Sequence, residues 1–359
     1  MVFFRVWKYG RQGGKLTIEC NRLHYISVVE VLALTIKEFA KICGVSVATV
    51  SRVFNEPEKV KEETRERILR IAKEYNYTPH SVAKSLREKR TGIYALTVMS
   101  TVERVFEDSY VSKFLRGAVK YFSEHGLKLV VDVLTSGDVR AYYTKLVKSR
   151  LIDGVILMDL KDDDERVELL KYYGFPFVCV GRNNKNDFVY VDSDGYLGGR
   201  QAGEHFLELG VGSVIFIGGD PNLPFERDRR KGFSDALEGS GISIVYEYAF
   251  YEERNVRDIL ETYVGRIEGI FCTSDVMAYA ALRFCERNGL DVPIVGFDNI
   301  LLSEIAGITT VDQHIELVGE KAAEKLHKVS LGEPVGSEII VTELVVRSTK
   351  RFMLRKARA

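Results

Sequence analysis

The 359-residue chain has few of the residues and runs that mark several classes of protein. Its five cysteines are odd in number and scattered, so the disulfide framework of a small secreted domain is not indicated. Four of them lie inside apolar runs, which predicts buried, reduced thiols in a cytoplasmic protein. No window of about 18 apolar residues occurs, so neither a membrane-spanning helix nor a membrane partner is predicted.

The first 33 residues also lack a secretion signal, because Arg, Lys and Gly interrupt every apolar run. They show no helical or strand period, and they hold the only tryptophan, Trp7. Two hypotheses fit this segment: a disordered extension, or an upstream stretch translated from a wrongly assigned start.

Sequence motifs of catalysis are missing as well. The dinucleotide-binding motif GxGxxG does not follow the first predicted strand (94–99). Gly218-Gly219-Asp220, at the end of the sixth predicted strand (214–219), is too short to serve as that motif. HExxH, P-loop and GxSxG motifs do not occur, and none of the six histidines pairs with a nucleophile at a recognisable spacing. The acidic run 162–165 is typical of a helix N-terminus rather than a metal site. We therefore expect a protein without catalytic residues, cofactor or metal.

The charge of the chain sums to zero but is unevenly distributed. Residues 34–91 carry 13 Lys/Arg and 8 Asp/Glu, a net of +5, whereas residues 92–359 carry 33 and 41, a net of −8. A basic N-terminal module on an acidic body is typical of a nucleic-acid-binding head, although a solvated helical surface can produce the same excess.

Residues 35–55 predict a helix-turn-helix. Thr35 followed by Glu38 forms a capping box that starts the first helix, Gly44 supplies the positive φ that ends it, and Ser46 caps the second. The predicted inward faces are Ile36, Phe39, Ala40 and Cys43 in the first helix and Val50, Val53 and Phe54 in the second. That leaves Val47, Ala48, Ser51 and Arg52 facing outward.

Outward residues at the start of a second helix are those that enter a major groove of DNA. Arg52 can donate two hydrogen bonds to a guanine, and Val47 and Ala48 are small enough to contact a thymine methyl group. Side chains that can bond phosphates are Ser46, Thr49, Ser51 and Asn55. An ordinary amphipathic helix pair is the alternative at this point.

Two segments follow the helix pair. Residues 62–75 predict a third helix whose inner face is Ile68, Leu69, Ala72 and Tyr75. Residues 79–91 form either a flexible linker or a short helix that orders only on a supporting surface, since helix nucleation is costly. In the second case Leu86 is an exposed apolar wedge for a minor groove.

From Tyr94 onward, short apolar runs alternate with amphipathic helices. The predicted strands are 94–99, 128–134, 154–158, 177–180, 189–192, 214–219, 245–250, 269–273 and 293–298. Apolar strands separated by helices indicate parallel sheets covered on both faces. Nine strands over about 250 residues fit two doubly wound lobes, which place a ligand crevice between them at the carboxyl ends of the strands.

The residues directly after these strands form a set of carboxylates, guanidiniums and hydroxyls with one aromatic. They are Asp108, Ser109, Tyr110, Arg182, Asn183, Asp192, Ser193, Arg227, Arg229, Thr273, Ser274, Asp275, Phe297, Asp298 and Asn299. Such a set suits a polyol, because paired hydroxyls take bidentate bonds from Asp and Arg and a ring covers a sugar face. Singly, each residue fits a strand cap or a surface ion pair equally well.

Several ordered motifs resemble the LacI/GalR family of bacterial transcriptional repressors. They are VSVATVSRVFN (45–55), TPHSVAKSL (78–86), FCTSDVMAYAAL (271–282), VGFDN (295–299), ITTVDQ (308–313) and VTELVVRST (341–349). The resemblance covers about residues 34–350. It implies a homodimer on a palindromic operator of double-stranded DNA, with the second helices in major grooves and paired hinge helices in the central minor groove. It also implies a small, sugar-like effector between the lobes.

The resemblance also implies roles for individual residues. For DNA, the base-reading positions are Val47, Ala48 and Arg52, the backbone contacts Ser46, Thr49, Ser51 and Asn55, and the minor-groove residues Ala83 and Leu86, with Thr35 and Tyr77 completing the set. For the effector, the matching positions are Asp192, Arg229, Ser274, Asp298 and Gln313, with Tyr110 and Arg182 aligning loosely.

The resemblance divides the chain into five segments: an extension (1–33), a helix-turn-helix domain (34–78), a hinge (79–91), an effector-binding and dimerisation domain (92–350) and a basic tail (351–359). Within the large domain, lobe 1 is 92–193 plus 316–342 and lobe 2 is 194–315. Lys61 stands where the family usually has a capping serine, His80 and Ser274 replace commoner asparagines, and residues 220–228 are particular to this chain. The tail lacks leucine heptads, so a dimer is expected.

A transporter's sugar-binding protein is the remaining rival for the body alone. The helix-turn-helix and the missing secretion signal argue against it. The sequence thus predicts a DNA-binding repressor of a carbohydrate-utilisation operon.

Overall fold

A computed structural model of the chain describes residues 8–12, 15–19, 34–75, 77, 90–99, 109–135 and 137–347. It divides into two compact units, Met1–Arg87 and Glu88–Ala359. The first unit consists of β1 Lys8–Gln12, β2 Lys15–Glu19, α1 Ile36–Cys43, α2 Val47–Asn55, a 3-10 turn Pro57–Lys59 and α3 Glu62–Glu74.

Local hydrogen bonds set where each helix of the helix-turn-helix begins. The Thr35 amide donates to the Glu38 carboxylate at 2.8 Å, and the Glu38 amide donates to the Thr35 hydroxyl at 3.3 Å, so the predicted capping box is confirmed. Gly44 ends α1 at φ 64°. The Ser46 hydroxyl then accepts from the Thr49 amide at 3.1 Å, as predicted for the cap of α2. At α3, Lys61 occupies the cap position without a side-chain hydrogen bond.

The inner face of α3 differs from its prediction. Ile68 and Ala72 are buried, but Leu69 and Tyr75 are 43% and 50% exposed, so their assignment to the core was wrong. A small three-helix core contacts only a narrow stripe of each helix, and Leu69 lies about 100° around the helix from Ile68. The core space that Leu69 and Tyr75 were expected to fill is occupied by the ring of Tyr77, which lies beyond the end of α3.

The extension contains structure for ten of its residues. The strands β1 and β2 pair antiparallel, with Lys8 opposite Glu19 and Gln12 opposite Lys15. This pairing differs from the disorder expected there, although a two-stranded ribbon is marginally stable by itself. The alternative of a wrongly assigned start stays a prediction.

Lobe 1 of the second unit is a six-stranded parallel sheet with helices on both faces. Its elements are β3 Ile93–Val98, α4 Ser109–Glu124, β4 Lys128–Val133, α5 Val139–Ser149, β5 Gly154–Leu157, α6 Glu165–Tyr172, β6 Phe177–Val180, β7 Tyr190–Ser193, α12 Ile315–Ser330 and β13 Glu338–Ile340. The strand order is β13-β7-β6-β5-β3-β4, and all neighbours are parallel.

Lobe 2 repeats this plan with one antiparallel edge. Its elements are α7 Gly195–Leu209, β8 Ser213–Gly218, α8 Pro224–Leu237, β9 Ser243–Tyr248, α9 Glu253–Tyr263, β10 Gly269–Cys272, α10 Asp275–Asn288, β11 Ile294–Phe297, α11 Leu301–Ala306, β12 Thr309–Asp312 and β14 Glu343–Val345. The order is β14-β12-β11-β10-β8-β9, and β14 runs antiparallel to β12.

The predicted fold class, a helix-turn-helix followed by two doubly wound lobes, is confirmed, and all nine predicted strands are present. The short elements β12, β13, β14 and α11 were missed, because three to six residues carry too little pattern to distinguish them. The chain crosses between the lobes after β7, after β12 and between β13 and β14. At the first two crossings the Ser193 hydroxyl donates to the carbonyl of Gln313 at 2.9 Å.

Candidate functional site

The N-terminal half of α2 presents small and cationic side chains to solvent. Ser46, Val47, Ala48 and Arg52 are exposed, while Thr49 and Ser51 are half-buried. No acidic residue lies in the first turn of α2, so the partial positive charge of this helix end stays available to a phosphate. The assigned roles of these side chains stay predictions, and those of Asn55, Ala83 and Leu86 lie outside the described side chains.

Tyr77 occupies a different place from the one predicted. Its ring stacks on Phe39 with centroids 3.7 Å apart, and the residue is only 6% exposed. Its hydroxyl oxygen is buried and has no hydrogen-bond partner among the described residues. This position in the core argues against a direct contact with DNA. Thr35 is exposed, but its hydroxyl already serves the cap of α1.

Arg229 is the centre of the cleft in lobe 2. It lies on α8, which begins at Pro224. Its guanidinium donates to the carbonyl of Thr273 at 2.8 Å and to the side chain of Gln313 at 3.1 Å. One face lies 4.1 Å from the centroid of the Phe297 ring. These contacts hold a buried cation in one orientation.

Gln313 continues this network to Asp298. The Gln313 amide nitrogen donates to the Asp298 carboxylate, and both side chains are buried. Asp298 and its neighbour Asn299 both have positive φ, 118° and 53°, a backbone strain that non-glycine residues adopt mainly where the surroundings require it. The strained turn places the Asp298 carboxylate beside the Gln313 side chain at the end of β11.

Lobe 1 contributes Arg182 and Asp192. The Arg182 guanidinium donates to Asp192 at 2.8 Å and, across the cleft, to Asp228 on α8 at 2.9 Å. Burial raises the pKa of Asp192 to about 6, although Arg182 opposes the shift. The sequence did not single out Asp228, because nothing local shows that it faces an arginine 46 residues away.

Tyr110 and Ser274, two further residues of the predicted effector site, also lie at the cleft. Burial raises the pKa of Tyr110, and the charged groups that act on its hydroxyl are Arg229, Asp298, Asp192 and Asp159. Tyr110 therefore lies near the predicted residues of both lobes. Ser274 is buried and caps α10, where its hydroxyl accepts from the Met277 amide at 3.3 Å. Ser274 therefore stabilises the start of α10, and its predicted contact with the effector would be a second role.

Glu226 is a cleft residue that was not predicted from the sequence. It lies one turn before Arg229, is 2% exposed, and has one carboxylate oxygen 3.6 Å from that guanidinium. The same oxygen accepts from the hydroxyls of Thr273 and Tyr251. Burial raises the pKa of Glu226, and Arg229 opposes the shift. The spacing of Glu226 and Arg229 on a predicted helix was the only available signal.

Further polar contacts join the two lobes at the rim of the cleft. Lys113 on α4 donates to the carbonyl of Asn299 at 2.8 Å. Arg227 pairs with Asp162, the first residue of the acidic run that was predicted to be a helix N-terminus. That prediction is confirmed, since Asp164 caps α6.

The arrangement is suited to binding a hydroxyl-rich molecule. Buried donors and acceptors converge from both lobes, and their geometry is fixed by neighbouring protein groups. Within the described ranges, no three His, Cys, Asp or Glu side chains are grouped to hold a metal ion. The same ranges contain no helix of the length and apolarity needed to cross a membrane.

Close helix packing sets the position of Arg229, which gives a testable prediction. A Cβ on Gly199 of α7 would lie 2.0 Å from the Arg229 carbonyl oxygen, whereas one on Gly195 would make ordinary 3.6 Å contacts. Gly199→Ala is therefore expected to force α7 and α8 apart, to cost about 1–3 kcal/mol of unfolding free energy, and to weaken ligand binding. Urea unfolding and calorimetric titration measure both effects.

Gly195→Ala is the matched control, since it adds the same methyl group one turn earlier on the same helix. It is expected to leave both quantities nearly unchanged. Equal losses in the two variants would show that packing at Gly199 does not position Arg229.

A helix-turn-helix domain followed by a two-lobed body with a polar cleft is the architecture of ligand-responsive transcriptional regulators. Residues 35–80 match the model of bacterial regulatory proteins of the lacI family, and residues 204–350 match that of the periplasmic binding protein-like domain. The chain belongs to the LacI family, which confirms the resemblance seen in the sequence, and it is a transcriptional regulator rather than an enzyme.

Individual relatives match over nearly the whole chain. The HTH-type transcriptional regulator CelR of Thermobifida fusca is 30% identical, over 88% of this chain and 98% of its own. The ribose operon repressor of Halalkalibacterium halodurans is 31% identical, over 88% and 97%. Among solved structures, a CelR–cellobiose complex matches with TM-score 0.64 and 29% identity, covering 87% of this chain and 98% of that one. The lac repressor dimer on its operator matches with TM-score 0.77 at 24% identity, covering 88% and 98%, which supports the fold alone.

Proposed function

We propose that this protein is a repressor of a carbohydrate-utilisation operon, which binds a palindromic operator as a homodimer and responds to a sugar in the cleft between its lobes. The observation that carries the proposal is the joint presence of two sites in one chain. One is the exposed Val47, Ala48 and Arg52 face of α2, and the other is the buried Arg229, Gln313 and Asp298 network.

The names of the relatives support the sugar. Similar chains are described as a ribose operon repressor and as a regulator in complex with cellobiose. The individual sugars are ligands of those relatives only. We carry over the class of ligand, a sugar, because the cleft of this chain also offers buried carboxylate, guanidinium and amide groups, which are the partners that sugar hydroxyls require.

The proposed mechanism is a shift in the population of two relative positions of the lobes. Arg182–Asp228 and Lys113–Asn299 join the lobes directly, so a ligand that fits only one position alters the equilibrium between them. The change is passed to the hinge, and the two DNA-binding domains of the dimer gain or lose the spacing that a bivalent contact needs. Coupling of this kind is typically about 1–3 kcal/mol.

Selection of DNA sites from a random pool, with purified full-length protein at fixed salt, tests the proposal. The expected result is a palindrome with half-sites about one helical turn apart. The selection is repeated with a mixture of neutral and phosphorylated sugars, and the sugars are expected to change the enrichment. If no symmetric site is recovered under either condition, the proposal is wrong.

Arg52 gives a prediction for base recognition. Arg52→Ala is expected to cost about 1–3 kcal/mol of operator binding free energy and to relax the preference at one base pair of each half-site. The control is Arg70→Ala, another exposed arginine, on α3, which should not alter the preference at any base pair. Fluorescence anisotropy on single-base operator variants distinguishes the two. An unchanged sequence preference in Arg52→Ala would remove that residue from base reading.

A further inference from the structure

We infer that the effector is an uncharged, hydroxyl-rich molecule, and that the cleft rejects sugars that carry a phosphate or a carboxylate. This inference rests on the proposed function and narrows the class of ligand. It follows from three features of the cleft: its surplus of carboxylates, the engagement of its guanidinium groups, and the acidic residues at its helix N-termini.

The first feature is the balance of charge. Four carboxylates and two guanidinium groups lie in the contact network inside the cleft: Asp192, Glu226, Asp228 and Asp298 against Arg182 and Arg229. At the rim, Arg227 is balanced by Asp162, and Lys113 adds one cation, so carboxylates still exceed cations. The groups act at short range in a partly dehydrated site, where like charges repel strongly. An anionic ligand therefore meets a net negative wall.

The second feature is that both guanidinium groups are already engaged. Arg182 donates to Asp192 and Asp228. Arg229 donates to the Thr273 carbonyl and to Gln313, and its guanidinium carbon lies 4.9 and 4.1 Å from the ring centroids of Phe225 and Phe297. A phosphate needs a cation with several donors free to point at it, and neither arginine offers such a fork.

The third feature concerns helix N-termini, which bind anions in many proteins through their free amides. Three helices of lobe 2 begin at the carboxyl ends of strands and so point these amides at the cleft. Each N-terminus carries an acidic side chain that opposes an incoming anion: Asp194 caps α7, Glu226 lies in the first turn of α8, and Asp275 lies in the first turn of α10.

Two buried atoms indicate what the cleft accepts instead. The second carboxylate oxygen of Glu226 and Nε of Arg229 make no hydrogen bond of standard geometry among the described residues, although the Gly219 amide lies close enough to act on the Glu226 carboxylate. Both residues are more than nine-tenths buried and lie one turn apart on α8. A ligand hydroxyl can donate to the first and accept from the second, whereas an ionised phosphate or carboxylate has no proton to donate to Glu226.

Calorimetric titration of the full chain with matched sugar pairs tests the inference. The pairs are ribose with ribose 5-phosphate, cellobiose with its 6-phosphate, and maltose with its 6-phosphate. Titration at about pH 8 keeps Asp192 ionised, since its pKa is about 6. At least one neutral sugar is expected to bind, with its phosphate at least about 100-fold weaker. Equal or tighter binding of a phosphate overturns the inference.

A matched pair of variants tests the cause. Asp228→Asn removes one cleft carboxylate and frees a donor of Arg182, so the gap between a neutral sugar and its phosphate is expected to shrink several-fold. Asp235→Asn makes the same change on the exposed side of α8, where Asp235 contacts Lys231 and Tyr196, and should leave the gap unchanged. An unchanged gap in Asp228→Asn overturns the electrostatic explanation.

The test also distinguishes this inference from the proposed function. If only phosphorylated sugars bind and alter operator binding, the inference fails while the sugar-controlled repressor stands. If neither kind of sugar binds, the proposed sugar effector is wrong as well. Recovery of a palindromic site in the operator selection would then still support the proposed DNA-binding function.

Discussion

Arg229→Ala is expected to abolish the response of operator binding to sugar and to leave operator affinity without sugar unchanged. The guanidinium is buried and held by Thr273 and Gln313, so no neighbouring cation can replace it. Loss of a desolvated charged donor costs about 2–5 kcal/mol of ligand binding, which is roughly 30-fold or more in Kd. Anisotropy of labelled operator, with and without sugar, measures both quantities.

The same change affects stability through Glu226. Removing Arg229 leaves a buried carboxylate without its cation, which costs about 3–5 kcal/mol of unfolding free energy. The pKa of Glu226 is already raised from its ordinary 4.5 and rises further in the variant. The folded state then retains a proton that the unfolded state releases, so the loss is absent below about pH 4.5 and grows as pH rises through the folded-state pKa.

A second variant distinguishes the binding role from the structural one. Arg229→Ala combined with Glu226→Gln removes the uncompensated charge and is expected to recover most of the unfolding free energy. It should not recover the sugar response, because the donors of Arg229 are still missing. If the double variant responds to sugar normally, Arg229 serves only to balance Glu226 and does not contact the ligand.

The sequence predicted the helix-turn-helix well because the bonds that define it are local. The capping box joins residues three apart, and Gly44 and Ser46 act on their immediate neighbours. The prediction failed where the partner comes from outside the helix. Tyr77 fills the core space that Leu69 was expected to occupy, and no periodicity within α3 shows that a residue beyond its end folds back.

The cleft was less predictable because its contacts join distant parts of the chain. The order of strands indicated the edge where polar residues meet, and the family resemblance indicated Arg229, Asp298 and Gln313. Neither source indicated Glu226 or Asp228, whose roles depend on how α8 faces lobe 1. Lys113 and Asn299 are 186 residues apart and meet only because the lobes close on one another.

Leu301→Asp is expected to convert the proposed dimer to a monomer and to weaken operator binding by about 100- to 10,000-fold. Leu301 and Ile305 lie one turn apart on α11 and are 67% and 76% exposed, and adjacent exposed aliphatics of this size mark an interaction surface. In a two-fold symmetric dimer each substitution enters the interface twice. A monomer loses the contact with the second half-site. In the dimer that contact raises operator affinity because the second DNA-binding domain is held at a high effective concentration beside its half-site.

The matched control for this change is Leu151→Asp, because Leu151 is a leucine of nearly the same exposure, 68%, in the loop before β5 in the other lobe. Sedimentation velocity is expected to show a monomer for Leu301→Asp and an unchanged dimer for Leu151→Asp. Sugar binding should persist in both, since neither side chain takes part in the hydrogen bonds of the cleft network. A Leu301→Asp protein that remains dimeric would place the interface elsewhere on the body, and one that becomes monomeric yet binds operator with full affinity would contradict bivalent recognition itself.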